Sequence, residues 1–350
     1  FNSFIAQFKA EAAKLGVSQR AISALDGVTE DKRVLSLDRN QKGFRVSFEE
    51  FSRKRITSGR VKKGKALLQQ QAALFASIEK RYGVPGPVIV AIWGLETDYG
   101  AVLGNMSSVR SLATLAHDCR RTEMFQNELL SALRIIDRGD MTSAQMRGAW
   151  AGELGQTQFL ASNYVRFAVD YDGNGHRDLI RSVPDVLAST ANYLKSYGWK
   201  RGQPWTEGSG NFGVLQQWNK SSNYQRTIAL FSGEAEYYAL VKTAAECMGL
   251  GACQGLWLGL GSDHLDRLLS SQSMASRVGV GRLRHLEVRF LWVQTEVESG
   301  RLQLEKIDGK VNPVDMLTTP LSANELATQM ATLGATVEAR QVRGGATAYT

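Results

Sequence analysis

Three cysteines in 350 residues, Cys119, Cys247 and Cys253, are too few and odd in number for a disulfide framework. They form no CxxC pair and no Cys/His pattern of the zinc type, so buried free thiols are the expectation. No apolar run reaches the ~20 residues that a membrane-spanning helix needs. Methionine is missing from position 1, where Phe1 stands. This reads as a processed or truncated chain, from which any secretory leader would already be gone.

What remains is an ordinary globular composition, 43% hydrophobic and 22% charged. The length suits about two domains. The net charge of +8 suits an anionic partner, which could be nucleic acid, a membrane surface or an acidic polymer such as a cell wall.

Helical periodicity dominates the first two thirds. In "FNSFIAQFKAEAAKLG", Phe1, Ile5, Phe8 and Ala12 recur at helical spacing and Gly16 ends the run. "KALLQQQAALFASIEKRYG" predicts one helix with Leu67, Leu74, Ile78 and Tyr82 on a shared face, capped by Gly83 and followed by Pro85. Pro87 suits the first turn of the next helix, "PVIVAIWGLE". That helix is apolar nearly all round and is expected at the domain centre. It ends in Glu96. A carboxylate among apolar groups resists ionising, so Glu96 is a candidate general acid; the alternative is a helix-terminal Glu reaching water.

Further helical patterns occupy "SVRSLATLAHD", "TEMFQNELLSALRIID" and "VPDVLASTANYLKSYG". Between the last two, "GAWAGELGQTQFLASNYVRFAVDYDGNGHRD" is rich in glycine, aromatic and amide residues. It reads as a substrate-contacting loop or as a turn-rich connector. The character changes near residue 231. "SGEAEYYALVKTAAECMGL" has a helical pattern, a strand-like alternation runs through Leu302, Leu304, Lys306 and Ile307, and the terminal polar stretch 330–350 is expected to fray.

Residues 1–231 resemble the B-type lytic murein transglycosylases. "LDRNQKGF", "YGVPGPVIVAIWGLETDYG", "GAWAGELGQTQFLASNYVRFAVDYDGNGHRDL" and "DVLASTANYLKSYGW" carry the resemblance, in the family's order. It implies a lysozyme-like, mostly helical catalytic domain acting on the glycan strands of peptidoglycan in the periplasm or cell envelope, with no required cofactor. It also implies that Glu96 is the single acid/base, working with the muramic acid 6-hydroxyl as internal nucleophile. One carboxylate then does what other glycosidases need two for. Asp98, two residues on, is expected to face away along the helix and to have a structural or surface role.

The resemblance further implies substrate contacts from Gln158 and Tyr193. The chain departs from the family at Ala149, where Ser is frequent, and at Ala161, where Pro is frequent. The "DYDGNGHRD" loop is similar to the start of an EF-hand, with Asp170, Asp172, Asn174 and the His176 carbonyl at positions 1, 3, 5 and 7. Arg181 stands where the closing Glu belongs, and Asp185 matches a later closing Asp in some family members. Calcium and a metal-free Asx-rich turn are both open readings of this loop.

Residues 232–329 resemble a different family, the ribonuclease H-like end of copia-type retrotransposon polyproteins. "SGEAEYYAL", "RVGVGRLRHLEVRFLWVQ" and "GKVNPVDMLTTPL" carry it. Glu236 and Asp315 match two of the four carboxylates that hold two metal ions there. The first Asp has no counterpart, and Asp263 and Asp266 lie out of register for the third. An incomplete α/β fragment without nuclease activity is the expectation. Its basic residues Arg282, Arg284, His285 and Arg289 read as a solvated helix face before they read as a nucleic-acid site.

Overall fold

The computed structural model describes residues 1–40 and 46–249, then the short strands 257–260, 303–306, 339–341 and 347–349; side chains are described as far as Ala235. By its internal contacts the chain divides into two compact units. The first comprises Phe1–Lys200 with Asn211–Ser232, and the second Arg201–Gly210 with Gly233–Thr350.

The first unit opens with α1 (Asn2–Lys14), α2 (Gln19–Ile22), α3 (Lys32–Arg39) and α4 (Phe48–Arg55). Ile5, Phe8 and Ala12 form the buried stripe of α1, and Gly16 follows it at φ +82°. Asp38, at the end of α3, is 2% exposed. Arg120 reaches its carboxylate at 2.7 Å and Arg121 takes its other oxygen, so a buried charge is fully paired.

α5 (Ser58–Gln70) and α6 (Ala72–Tyr82) replace the single helix expected over this stretch. The chain breaks at Gln71, with φ −115° and ψ 27°. After the break the buried face of α6 is Phe75, Ile78 and Tyr82, and Leu74 is only half-buried. The glutamine run carries no apolar residue that a continuous face could use. Gly83 caps α6 in the left-handed region at φ 76°, as its position predicts.

α7 (Gly86–Thr97) starts at Pro85 with Pro87 in its first turn, and every residue except Pro87 and Glu96 is buried. α5, α6 and α11 (Val183–Ser196) pack round it. Close approach is possible because two glycines face Tyr99. A Cβ on Gly94 would lie 2.8 Å from the Tyr99 ring. One on Gly64 of α5 would collide with the Tyr99 hydroxyl.

A second helical layer is built from α8 (Ser108–His117) and α9 (Thr122–Arg138). The thiol of Cys119 lies in the turn between them, free and exposed rather than buried as expected. A turn offers it no apolar wall. β1 (Met106–Ser107) pairs antiparallel with β2 (Arg147–Gly148). α10 (Ala161–Phe167) lies against α9 and α11. No side chain of its own caps α10; Glu128 of α9 does so from outside, accepting from Ser162 N at 2.8 Å and Ser162 Oγ at 2.6 Å. α12 (Gly210–Trp218) leads into α13 (Ser222–Gly249), which continues through position 231 without interruption.

In the second unit, β3 (Trp257–Leu260) pairs in parallel with β4 (Gln303–Lys306), at the strand-like alternation read from Leu302 to Ile307. β5 (Ala339–Gln341) pairs antiparallel with β6 (Thr347–Tyr349). These two strands stand in the stretch expected to fray. Polar side chains do not prevent pairing, because ladder bonds belong to the backbone. The readings on residues 261–302 and 307–338, including Asp263, Asp266, Arg282, Arg284, His285, Arg289 and Asp315, lie outside the described residues, as does the side chain of Glu236. Among the described residues no helix is long and apolar enough to cross a membrane.

Candidate active site

Glu96 ends the buried helix α7, and the chain turns sharply just beyond it. Asp98, Tyr99 and Gly100 are left-handed in succession, at φ 53°, 61° and 80°. For the two residues with side chains this costs on the order of 1 kcal/mol or more each, so neighbours must hold the turn. They do. Tyr99 donates its hydroxyl to Arg60 O at 2.6 Å and sets its ring edge-on to Trp93, 5.5 Å between centroids. Arg60 Nε reaches Asp98 Oδ1 at 3.2 Å and Lys63 Nζ reaches Asp98 O at 3.0 Å. Asp98 is therefore a helix cap tied to α5, not a residue on the far side of the helix.

The other anchor is Gln156. It accepts Trp93 Nε1–H at 2.8 Å and donates to Ile180 O at 2.8 Å, and its backbone carbonyl receives the Thr97 hydroxyl at 2.5 Å. The glycine-rich segment is thereby clamped to the end of α7. That segment is a substantial part of the framework as well as a loop, because it also contains α10.

Two aromatic donors meet the acid. Trp218, closing α12, donates its indole N–H to Glu96 Oε1 at 2.9 Å. Tyr224, in the first turns of α13, donates its hydroxyl to the same oxygen at 2.7 Å. Both donors converge on Oε1, and among the described residues none donates to Oε2. Glu96 itself stays partly open to solvent. Oε2 is thus the oxygen free to carry a proton towards a ligand.

Burial pushes the Glu96 carboxyl up to about 7. The hydrogen bonds from Trp218 and Tyr224 pull it back, the nearby Glu153 carboxylate raises it further, and Arg55 lowers it. Desolvation prevails because few polar groups share the site with it. A carboxyl poised there can give a proton and take one back near neutral pH.

Tyr193 stands beneath this constellation. It is 4% exposed, and its hydroxyl donates to Gln217 O at 2.5 Å. Its ring meets those of Trp218 (4.9 Å), Phe167 (4.9 Å) and Phe159 (5.9 Å). In this placement it braces Trp218. Gln158 is half-buried with φ 53°. Its amide N–H₂ donates to Gly155 O at 2.8 Å and more weakly to Leu103 O at 3.4 Å, so its side-chain carbonyl is the end left for a ligand. Ala149 is half-buried, and Ala161 opens α10 at the first-turn position that proline also suits.

The acidic loop is organised by its own carboxylates. Asp170 accepts from Gly173 N, Asn174 N and Gly175 N. Asp185 accepts from Tyr171 N, Asp172 N and Asp178 N, and burial raises its carboxyl above the ordinary range. Asp172 takes the Ser182 hydroxyl at 2.6 Å, and Asn174 Oδ1 receives His176 N at 2.9 Å. Oxygens of Asp170, Asp172 and Asp185 all lie within 4.8 Å of one another. This all-oxygen donor set fits a hard cation such as calcium. Arg181, at the EF-hand closing position, pairs instead with Asp178 at 3.2 Å.

Sequence reasoning missed Trp218 and Tyr224, in "QQWNKSSNY". Read alone they are two aromatics bracketing a polar turn, which is how core aromatics read as well. Their remoteness from Glu96 along the chain hides the contact.

The chain resembles known proteins in two ways. One curated relative, "Membrane-bound lytic murein transglycosylase B" of Escherichia coli, is 36% identical over 153 residues, 43% of this chain and 42% of that protein. The chain thus spans less than half the length of this relative. The other, "Retrovirus-related Pol polyprotein from transposon TNT 1-94" of Nicotiana tabacum, is 32% identical over 108 residues, 30% of this chain and only 8% of the polyprotein.

Among solved structures, SltB3 from Pseudomonas aeruginosa, in complexes with NAG-NAM-pentapeptide and with NAG-anhNAM-pentapeptide, is 31% identical with a TM-score of 0.64. The match covers 67% of this chain and 79% of SltB3. The Escherichia coli lytic transglycosylase Slt35, in complex with calcium, shares the fold at 24% identity and a TM-score of 0.62, over 68% of this chain and 94% of Slt35. Residues 1–210 match the transglycosylase SLT domain, and the chain belongs to that family.

Proposed function

We propose that the first unit is a peptidoglycan lytic transglycosylase with Glu96 as its single acid/base. The observation that carries this reading is the Glu96 carboxyl itself, pushed up to about 7 with both donors on Oε1 and, among the described residues, none on its second oxygen. The SltB3 complexes hold a NAG-NAM-pentapeptide and its anhydro form, the two sides of such a reaction.

In the first step Glu96 Oε2–H protonates the glycosidic oxygen between N-acetylmuramic acid and N-acetylglucosamine, and the C1–O bond breaks. The N-acetylglucosamine 4-hydroxyl leaves, and Glu96 becomes a carboxylate, stabilised by Trp218 and Tyr224. It then takes the proton of the muramic acid 6-hydroxyl as that oxygen closes on C1. The product is a 1,6-anhydro sugar, and Glu96 is protonated again. No water and no second carboxylate enter, because the nucleophile is already attached to the substrate at high effective concentration. Gln158 contributes a carbonyl acceptor for a sugar N–H or O–H, and Tyr193 acts through Trp218.

Asp170, Asp172 and Asp185, with Asn174 and the His176 carbonyl, are the groups that would hold calcium. The ion supplies no step of the reaction; it would neutralise three crowded carboxylates and fix the loop. A periplasmic or cell-envelope location follows from the substrate.

Glu96→Gln tests the assignment. Gln keeps the acceptor for Trp218 and Tyr224 but has no acidic proton. Release of anhydromuropeptides from purified sacculi, followed by mass spectrometry, should fall by ~10²–10⁴-fold. A variant that releases them at the parent rate refutes the assignment.

A further inference from the structure

The residues on either side of Glu96 along α7 are tied to one residue of the glycine-rich segment. Trp93 stands three positions before the acid and Thr97 one after. Gln156 accepts the Trp93 indole N–H on Oε1 at 2.8 Å, and its backbone carbonyl accepts the Thr97 hydroxyl at 2.5 Å. The Thr97 oxygen in turn accepts from Gly100 N at 2.9 Å, inside the left-handed turn. That turn closes directly over the Gln156 amide, because a Cβ on Gly100 would lie 2.5 Å from Gln156 Oε1.

Gln156 is itself held from its other side. Its backbone N–H donates to Leu179 O and its Nε2 to Ile180 O, each at 2.8 Å. These two carbonyls follow directly on the acidic loop. Asp178 accepts from Ile180 N at 3.0 Å and donates its own N–H to Asp185 Oδ2 at 2.8 Å. Gln156, Trp93 and Thr97 are all buried, so bulk water does not compete for the bonds between them. The side chain at position 156 must accept at one end and donate at the other. Glutamine does both, an ionised Glu cannot donate, and Met does neither.

We propose that Gln156 is a positioning residue for catalysis, holding the end of α7 on the footing of residues 178–180 so that Glu96 Oε1 meets Trp218 and Tyr224 together. This rests on the reading of Glu96 as the general acid. A helix is weakest in its last turn, where the backbone carbonyls run out of helical partners. The two donors come from other helices, at 2.9 and 2.7 Å, so a displaced end of α7 lengthens both bonds at once. A misplacement of about 1 Å in a reacting group costs on the order of 10²-fold in rate.

The experiment measures kcat, KM and the pH profile of kcat/KM on purified glycan strands, for the full chain and for Gln156→Met. In the variant kcat should fall by about tenfold to a hundredfold with KM unchanged, because the lost contacts lie behind the acid. The alkaline limb should move to higher pH by up to ~1 unit, since the hydrogen bonds that favour ionised Glu96 weaken. Gln156 is neutral, so its replacement removes no charge from among the groups facing Glu96, which are Tyr224, Glu153 and Arg55. In a Tyr224→Phe background the same substitution should move the limb by less, the mark of acting through that bond. If Gln156→Met proves poorly folded, Thr97→Val breaks the other tie and should repeat the result, while Thr97→Ser keeps the hydroxyl and should restore the parent profile. A profile lowered equally at every pH, or shifts that simply add to those of Tyr224→Phe, overturns the proposal and leaves Gln156 a structural residue. Carboxyl ¹³C titration of Glu96 reads its placement without turnover. If the midpoint fails to rise in the variant, the positioning role is refuted. If it rises in a chain that releases no anhydromuropeptides, the positioning stands and the transglycosylase reading falls.

Discussion

The burial that suits Glu96 to its proposed proton transfer comes at a cost in stability. Its carboxyl is pushed from the ordinary 4.5 to about 7 in the folded chain. A raised acid contributes its full stability below pH 4.5, where both states are protonated. That contribution is lost as pH rises through 7, because the unfolded chain ionises first. The loss amounts to about 3 kcal/mol above neutrality. Glu96→Gln should therefore melt with the parent protein near pH 4 and above it near pH 8, a comparison that thermal denaturation at the two pH values makes directly. Tyr224 works in the opposite sense, because its hydroxyl favours the ionised form. Tyr224→Phe should move the alkaline limb of the rate profile upward by ~1 unit, the weight of one hydrogen bond to a charged group. An unmoved limb would show that Trp218 alone satisfies Oε1.

The helix α7 and the two structures at its end decide where these residues stand. α7 is buried on all sides, so it can neither tilt nor slide without repacking α5, α6 and α11. The left-handed turn at Asp98–Gly100 stops it directly after Glu96, and Gln156 fixes that stop to the glycine-rich segment. The acidic loop further along that segment is held by backbone N–H groups on Asp170 and Asp185. Calcium at such a site should raise the melting temperature of the full chain, by an amount set by its concentration relative to its dissociation constant. Asp172 is exposed, so Asp172→Asn should leave the metal-free melting temperature nearly unchanged while abolishing most of the calcium increment. An equal increment in both proteins would assign the loop to the metal-free Asx-turn reading.

At the level of the whole molecule, every residue placed in the site belongs to the first unit, from Arg55 to Tyr224. A chain ending after Ser232 should therefore keep the proposed lytic activity, as turbidity loss of sacculi would record. A soluble, folded and inactive truncation would show that residues beyond Ser232 are needed to complete the site. The +8 charge of the chain suits attraction to an anionic wall, and such attraction should weaken with added salt.

Much of the first unit was legible in the residues themselves. The all-apolar run from Val88 to Leu95 announced a central buried helix, Pro87 announced where it begins, and a lone acid at its end marked a candidate site. These signals are local, since capping, periodicity and composition act within a few residues. The break at Gln71 was not legible, because glutamine is a good helix former and only packing decides whether its run continues. Nor was the pairing of β5 with β6, where backbone bonds override a polar composition. The company Glu96 keeps was decided by tertiary structure alone. Trp218 and Tyr224 stand more than 120 positions away. Periodicity can state that a carboxyl will be buried; which donors meet its one oxygen, and which charge stands beside it, depends on contacts between segments that no local pattern encodes.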